Sequence, residues 1–382
     1  MSTLTRTLVC TGGSSGLGLE TIKQVLRQPR WQVFVGARPE RRHTLEQTFK
    51  PWLNSNSNSN SSHTNSTVTI VDLNLEHVNS IKQFANSVKQ NLTSTNSSLD
   101  VILLSAAVYC RHKHLINDIS ARVDDNHTVQ FTKEAFVNSL AQHYLIHLLE
   151  PELTKQSSKS NFHPRIVFVS SSKQNSVNSF NQISHALLST TTNDDSTKQP
   201  QQQDSMIRYS SSKLIQMASA TFWKRKLCPL GVDVVTVSPG FVPTSGLNRE
   251  SNWFVQLFLK YVLSWAPFVT SIEQGAETIR MAIETGFDKS ESSNNKVDVK
   301  PLLSQRIIES RQESKVLYIG VCHQNQTHLT NNSSRNQETM KEGWLEYQES
   351  KLVEPILQDE RQSLLWTPDK DTFEQWINDE GV

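Results

Sequence analysis

The 382-residue chain balances 38 basic against 37 acidic side chains, for a net charge of +1, and only 36% of it is hydrophobic, with a mean hydropathy of −0.47. Without a long basic run this charge excludes a polyanion-binding surface, so no nucleic-acid partner is expected. The low apolar share means that part of the length is not core.

The missing hydrophobicity is localised. Residues 54–67 are almost wholly Asn and Ser, and polar stretches recur at 93–98, 189–203, 291–296 and 324–337. Such segments bury too little apolar surface to offset the entropy of ordering them, and they read as surface loops between the regular elements. Four widely spaced cysteines, Cys10, Cys110, Cys228 and Cys322, without a CxxC pair, read as buried free thiols in a reducing compartment. No spacing suggests a metal site. The first strand begins too early for a basic and then apolar signal segment, so a cytoplasmic location is expected.

The first predicted strand, 7–10, runs into Thr11-Gly12-Gly13-Ser14-Ser15-Gly16-Leu17-Gly18, after which Leu19, Ile22 and Val25 share a helical face. Strand, glycine turn and helix together form a dinucleotide site: glycines let the backbone approach a pyrophosphate, and the amides at the helix N-terminus attract its charge. Gly12, Ser14, Ser15, Gly16, Leu17 and Gly18 are the cofactor contacts expected here. The spacing is Gly-xxx-Gly-x-Gly and not the general G-x-G-x-x-G. Strand 31–35 leads to Gly36-Ala37-Arg38, where a carboxylate would bind the ribose of NAD but Arg38 suits the 2'-phosphate of NADP.

Strands follow at 68–71, 101–104, 166–170, 232–237 and 316–320. Helices are predicted between them, with Val78, Ile81, Ala85 and Val88 on one face and later helices over 133–153 and 209–226. The alternation predicts an α/β fold: a Rossmann-type doubly wound parallel sheet of about seven strands, one domain carrying low-complexity loop insertions near 54–67, 174–207, 287–314 and 323–340. Tyr209 and Lys213, four residues apart, share a helix face, so the ammonium is placed to lower the phenol's pKa. Tyr109-Lys113 and Tyr347-Lys351 repeat the spacing, but only Tyr209 falls in a helix between the fifth and sixth strands.

The N-terminal Thr-Gly-xxx-Gly-x-Gly, the serines at 170–172, Tyr209-xxx-Lys213 and Ser238-Pro239-Gly240, in that order, resemble the short-chain dehydrogenase/reductase family over roughly residues 5–353. The resemblance implies a catalytic set of Asn138, Ser171, Tyr209 and Lys213. Ser171 would bond the substrate oxygen, with Ser170 the next choice, and Asn138 would hold a water behind the lysine. Asp72 would bind adenine, Lys213 would also grip the ribose, and Thr244 would bond the carboxamide beside the Pro239-Gly240 turn. The family's Asn-Asn-Ala-Gly is replaced by Ser105-Ala106-Ala107-Val108, which keeps small residues, Ala106 among them, and loses the bracing asparagine. This wording resembles the subgroup of retinol dehydrogenases and protochlorophyllide reductases, whose closing helix 344–353 resembles. NADP(H) is the cofactor implied.

Between 252 and 269 an aromatic and aliphatic segment with Lys260 as its one charge suggests a bulky lipophilic alcohol, aldehyde or ketone of retinoid, steroid or long-chain type. The same segment leaves peripheral membrane contact open, and a homodimer is also open. A catalytically idle NADP-binding regulator and a protochlorophyllide reductase-type enzyme are the alternative functions. Residues 354–382 form an extension of unknown role, with Trp366 and Trp376 placed either to pack on the domain or to meet a partner.

Overall fold

The computed structural model describes residues 5–53, 65–122, 128–157, 163–190, 204–242, 270–285, 306–307, 309–313, 316–321, 339–341, 344–346 and 350–377. Its main sheet contains β1 (Arg6–Thr11), β2 (Trp31–Ala37), β3 (Thr67–Asp72), β4 (Val101–Leu104), β7 (Arg165–Val169), β9 (Asp233–Ser238) and β10 (Leu317–Val321), all parallel. The order β10-β9-β7-β4-β1-β2-β3 is doubly wound, with the reversal between β1 and β4. In such a sheet ligands sit beyond the carboxyl ends of the strands at that reversal.

The strands are buried on both sides, so alternate residues meet different helical layers. Leu8, Cys10, Val33, Val35 and Leu103 face α1 (Gly16–Leu26), α2 (Arg42–Phe49) and α8 (Ile272–Glu284). Val9, Phe34, Ile102, Leu104 and Phe168 face α3 (Val78–Ser94), α5 (Ala141–Ser157) and α7 (Asp204–Leu227). α5 follows α4 (Lys133–Ala135) through a π turn at Phe136–Leu140. Ser271 starts α8 with a reciprocal capping box to Gln274.

Four readings need correction. A second sheet, antiparallel, joins β5 (Leu115–Arg122), β6 (Thr128–Thr132) and β8 (Leu188–Thr190), which β-branched runs alone did not announce. Residues 344–353 do not form a closing helix: β12 (Trp344–Glu346) pairs antiparallel with β10 on one side and with β11 (Thr339–Lys341) on the other, where the edge of β10 offers unpaired backbone groups. The polar insertions are also partly structured. Within 174–207, α6 (Phe180–Leu187) buries Ile183 and Leu187, β8 includes Ser189, and α7 begins at 204; within 287–314, Ile307 is buried and Arg311 pairs with Asp233 at 2.7 Å; Thr93 and Ser94 end α3. Finally, Cys228 is only half-buried, whereas Cys10 and Cys110 are buried free thiols and Cys322 lies outside the described residues.

The C-terminal segment packs back on the domain through α9 (Val353–Gln358), α10 (Glu360–Trp366) and α11 (Lys370–Gln375). Trp366 and Trp376 contact Phe131, and Phe373 stacks on Tyr144 with ring centres 4.2 Å apart. No helix among the described residues is long and apolar enough to cross a membrane. The apolar segment 252–269 lies outside the described residues.

Candidate active site

The glycine turn closes directly onto the sheet's reversal point. Gly12 has φ +73°, and a Cβ there would lie 2.5 Å from the Ala106 amide at the end of β4. A Cβ on Gly18 would lie 2.3 Å from the Gly12 carbonyl oxygen. Only glycine fits either place, and the resulting bare backbone is the kind of cradle a pyrophosphate needs. Ser15 precedes α1 with no side-chain cap hydrogen bond, so the first amides of the helix face the same turn. At the far rim, Gly240 has φ +79° and its missing side chain makes room for Thr270, while Gly275 brings α8 against Leu17 and the Pro239 carbonyl. Thr244 lies outside the described residues.

Three arginines border this cradle after β2. Arg38 is exposed and pairs with Glu40 at 3.3 Å. Arg42 donates to Asp72 Oδ1 at 2.7 and 3.1 Å and to the Ile70 carbonyl, so Asp72 reaches the site already neutralised. Arg41, which residue type and position did not single out, donates from Nη2 to the Ser14 carbonyl at 3.3 Å and keeps a buried Nε without a partner among the described residues. Its guanidinium therefore lies over the glycine turn.

Ser171, Tyr209 and Lys213 converge beyond β7. β7 ends at Val169; Ser171 caps the following turn by accepting from Lys173 N at 3.3 Å, and its hydroxyl faces the Tyr209 phenol. Ser170 is buried and its hydroxyl has no partner among the described residues. Lys213 lies one turn along α7, with Nζ 5.9 Å from the centre of the Tyr209 ring, and donates to the Val169 carbonyl at 2.9 Å and to Gln216 Oε1 at 3.1 Å. Burial governs both acidities. It pushes the Tyr209 phenol up to about 12, with the Ser171 hydrogen bond pulling the other way, and pushes the Lys213 ammonium down to about 7. Any lowering of the phenol by the lysine is outweighed by desolvation: the Lys213 ammonium is directed at the Val169 carbonyl and Gln216.

Asn138 sits in the π turn, fully buried, and is spent on the backbone of the β4 loop. Its Oδ1 accepts from Val108 N at 2.7 Å, and Nδ2 donates to the Val108 carbonyl and to Ser212 Oγ, both at 2.9 Å. A π turn of this sort re-aims side chains that a regular helix would direct elsewhere. Gln142 holds the same loop by donating to the Ala106 carbonyl at 2.7 Å. Arg208, ion-paired with buried Glu134 at 2.9 Å, donates to the Cys110 and Arg111 carbonyls. The loop from Ala106 to Arg111 is therefore fixed from beneath by three buried side chains.

That loop carries Tyr109, set aside in the sequence because its spacing to Lys113 falls outside the expected helix. Its ring meets the Tyr209 ring edge-on at 5.9 Å, and its hydroxyl hydrogen-bonds Ser205 Oγ at 3.0 Å. Gln142 and Gln216 were missed as well. Their signal was legible: polar residues four after Asn138 and three after Lys213, on helix faces that are otherwise apolar.

No family model matches the sequence. Among curated proteins, the chain is 29% identical over 284 residues to a short-chain dehydrogenase/reductase, GME11359, of Pestalotiopsis microspora, covering 74% of this chain and 84% of that one. It is 26% identical over 279 residues to the WW domain-containing oxidoreductase of Gallus gallus, of which it spans 56%, with 72% of this chain covered. It is 25% identical over 331 residues to protochlorophyllide reductase B, chloroplastic, of Oryza sativa subsp. japonica, covering 81% of this chain and 75% of that protein. A doubly wound sheet whose glycine turn closes on its own reversal point accompanies this similarity, and together they align the chain with proteins of the short-chain dehydrogenase/reductase family.

Proposed function

We propose that this protein is an NADP(H)-dependent oxidoreductase that interconverts a lipophilic alcohol and its aldehyde or ketone. The observation that carries the reading is the convergence of Ser171, Tyr209 and Lys213 beyond the carboxyl end of β7, near the bare backbone cradle at Gly12 and Ala106. The residues present suit a dinucleotide: the turn from Gly12 to Gly18 and the N-terminus of α1 for the pyrophosphate, Arg38 and Arg41 for a 2'-phosphate, Asp72 for adenine, Lys213 for the ribose, and Pro239, Gly240 and Thr244 for the nicotinamide side. When bound, that group supplies the hydride, given to or taken from the carbonyl carbon.

The chain's own residues handle the proton. Tyr209 Oη donates its proton to the substrate oxygen in reduction and takes it back in oxidation. The Ser171 hydroxyl hydrogen-bonds the same oxygen and steadies the charge that develops on it. Lys213, in its ammonium form, turns its remaining donor toward the site and favours the tyrosinate left after transfer. Asn138 fixes the floor of the site through Val108 and Ser212 and leaves Ser212 Oγ, which donates to the Tyr209 carbonyl, to steady the turn of α7 that bears the tyrosine. The apolar composition of 252–269 supports a bulky lipophilic substrate and is compatible with a substrate delivered from a membrane surface.

The test is oxidation of NADPH against NADH over a panel of apolar aldehydes and ketones, with Tyr209→Phe in parallel. Turnover that prefers NADPH and falls about 10²- to 10⁴-fold in Tyr209→Phe, with NADPH binding kept, is the expected result. Tight NADPH binding without turnover of any carbonyl would instead favour an idle NADP-binding regulator.

A further inference from the structure

Between Lys213 and the floor of the dinucleotide cradle runs an unbroken line of buried hydrogen bonds. Lys213 Nζ donates to Gln216 Oε1 at 3.1 Å, and Gln216 Nε2 donates to Gln142 Oε1 at 3.2 Å. Gln142 Nε2 then donates to the Ala106 carbonyl at 2.7 Å and to the Val137 carbonyl at 3.0 Å. Gln142, Gln216 and Lys213 are each at most 2% exposed.

The direction of this line is dictated by its ends. An ammonium only donates and a backbone carbonyl only accepts, so both amides have a single orientation that leaves no group opposed. Ala106 is the residue whose amide closes on Gly12, so the line ties the lysine to the backbone that would lie beneath the dinucleotide. An amide chain carries no net proton. Its effect is to orient the ammonium and to hold its charge by offering an acceptor where burial removes water.

We propose that Gln216, braced by Gln142, is a positioning residue that aims the Lys213 ammonium and couples it to the floor of the dinucleotide cradle. The proposal rests on the reading of Tyr209 and Lys213 as the proton-handling pair. Lys213 is faced by Tyr209 on its own helix, by the Val169 carbonyl from β7 and by neutral Gln142 from α5 through Gln216; burial alone accounts for its lowered pKa, with no charged group among the described residues contributing. A change at Gln216 is therefore read on the lysine without a competing charge.

The experiment compares the parent with Gln216→Met, Gln216→Glu and Gln142→Met, with Tyr209→Phe and Lys213→Met as controls. Each is followed by the pH profile of kcat/KM for NADPH-driven carbonyl reduction, the pH profile of NADPH affinity by quenching of protein fluorescence, and the melting temperature. Reduction needs the ammonium, so the rate falls as pH rises through the lysine's pKa. Gln216→Met moves that fall to lower pH by about one unit, and Gln142→Met moves it the same way by less. Gln216→Glu, which keeps the acceptor and adds a negative charge, moves it to higher pH. Superimposable profiles in all folded variants, with only the melting temperature lowered, would overturn the proposal and leave the amides as packing. Should Tyr209→Phe and Lys213→Met retain full turnover, the underlying reading fails; a shift of the NADPH affinity profile in Gln216→Met would still uphold the positioning of Lys213, and no shift there would end both.

Discussion

Arg41 is the clearest case of a residue whose meaning depends on its neighbours. Of three arginines after β2, Arg38 engages Glu40 on its own loop and Arg42 is committed to Asp72, whereas Arg41 reaches the Ser14 carbonyl with an unpartnered Nε beneath it. A 2'-phosphate is a charge-assisted acceptor for such a group, worth about 1.5–3 kcal/mol per hydrogen bond. Arg41→Ala is therefore expected to raise the KM for NADPH by about tenfold or more while leaving that for NADH unchanged, as measured by steady-state kinetics with each cofactor. An equal loss for both would mean that Arg41 serves only to hold the glycine turn. Arg38 stood out in the sequence because it directly follows a strand. Arg41 was not, because its reach to Ser14 depends on where the 3-10 turn Pro39–Arg41 places it. Tyr109 shows the same limit: its string matched a known spacing, but its place against Tyr209 arises from a loop that Asn138, Gln142 and Arg208 fix from other elements.

At the scale of elements, α5 serves two partners. Asn138 and Gln142, at and just beyond its π turn, serve the site, while His143, Tyr144 and His147 face the C-terminal segment. His143 and His147 both hydrogen-bond the Pro368 carbonyl, at 2.9 and 3.1 Å, and His143 also meets Ser219 Oγ and accepts from Trp223 Nε1. Burial holds both imidazoles neutral, His143 well below the ordinary histidine value and His147 at about 4; His147 disfavours charge on His143 and Lys226 on both, while the Pro368 carbonyl favours it on both and Glu150 and Asp369 favour it on His147. In the unfolded chain both take a proton near 6.5, so the unfolded state binds more protons as pH falls and stability is lost from about pH 6.5 down toward 4. The melting temperature should fall across that window, and the fall should be smaller in a His143→Leu, His147→Leu double variant, referenced to each protein's own value at pH 7.5. An identical slope in both would place the acid lability elsewhere. Elements rich in β-branched residues, such as β1, β2 and β9, were readable in advance because burial on both faces gives them a largely apolar run. β5, β6 and β8 were not: β5 alternates exposed and buried residues, and β8 joins β6 from far along the chain, so only tertiary pairing completes the sheet.

At the scale of the molecule, the C-terminal segment acts as part of the core despite lying beyond the stretch that resembles the family. Trp366 and Phe373 are fully buried, Trp376 nearly so, and they interlock with Phe131 from the small sheet and with Phe136 and Tyr144 from the π turn and α5. The Trp376 carbonyl accepts from Ser120 N at 2.9 Å, and Ile377 bridges to Ile119, so the segment also closes an edge of the small sheet. Sequence left Trp366 and Trp376 open between self-packing and a partner, because an aromatic residue in a polar context reads the same in both cases. Truncating a buried Trp or Phe to Ala costs about 3–5 kcal/mol, against a typical domain stability of about 5–15 kcal/mol. Removing residues 351–382 deletes all three at once and bares the faces they cover, so the shortened chain should be insoluble or lack a cooperative melting transition. Trp366→Ala alone should lower the unfolding free energy by about 3–5 kcal/mol in a denaturant titration, with the folded variant retaining NADPH binding because Trp366 packs on Phe131 of the small sheet and not on the glycine turn. A shortened chain that melts like the parent would mean that the aromatic cluster is an added surface and not core, and Trp366→Ala would then cost little.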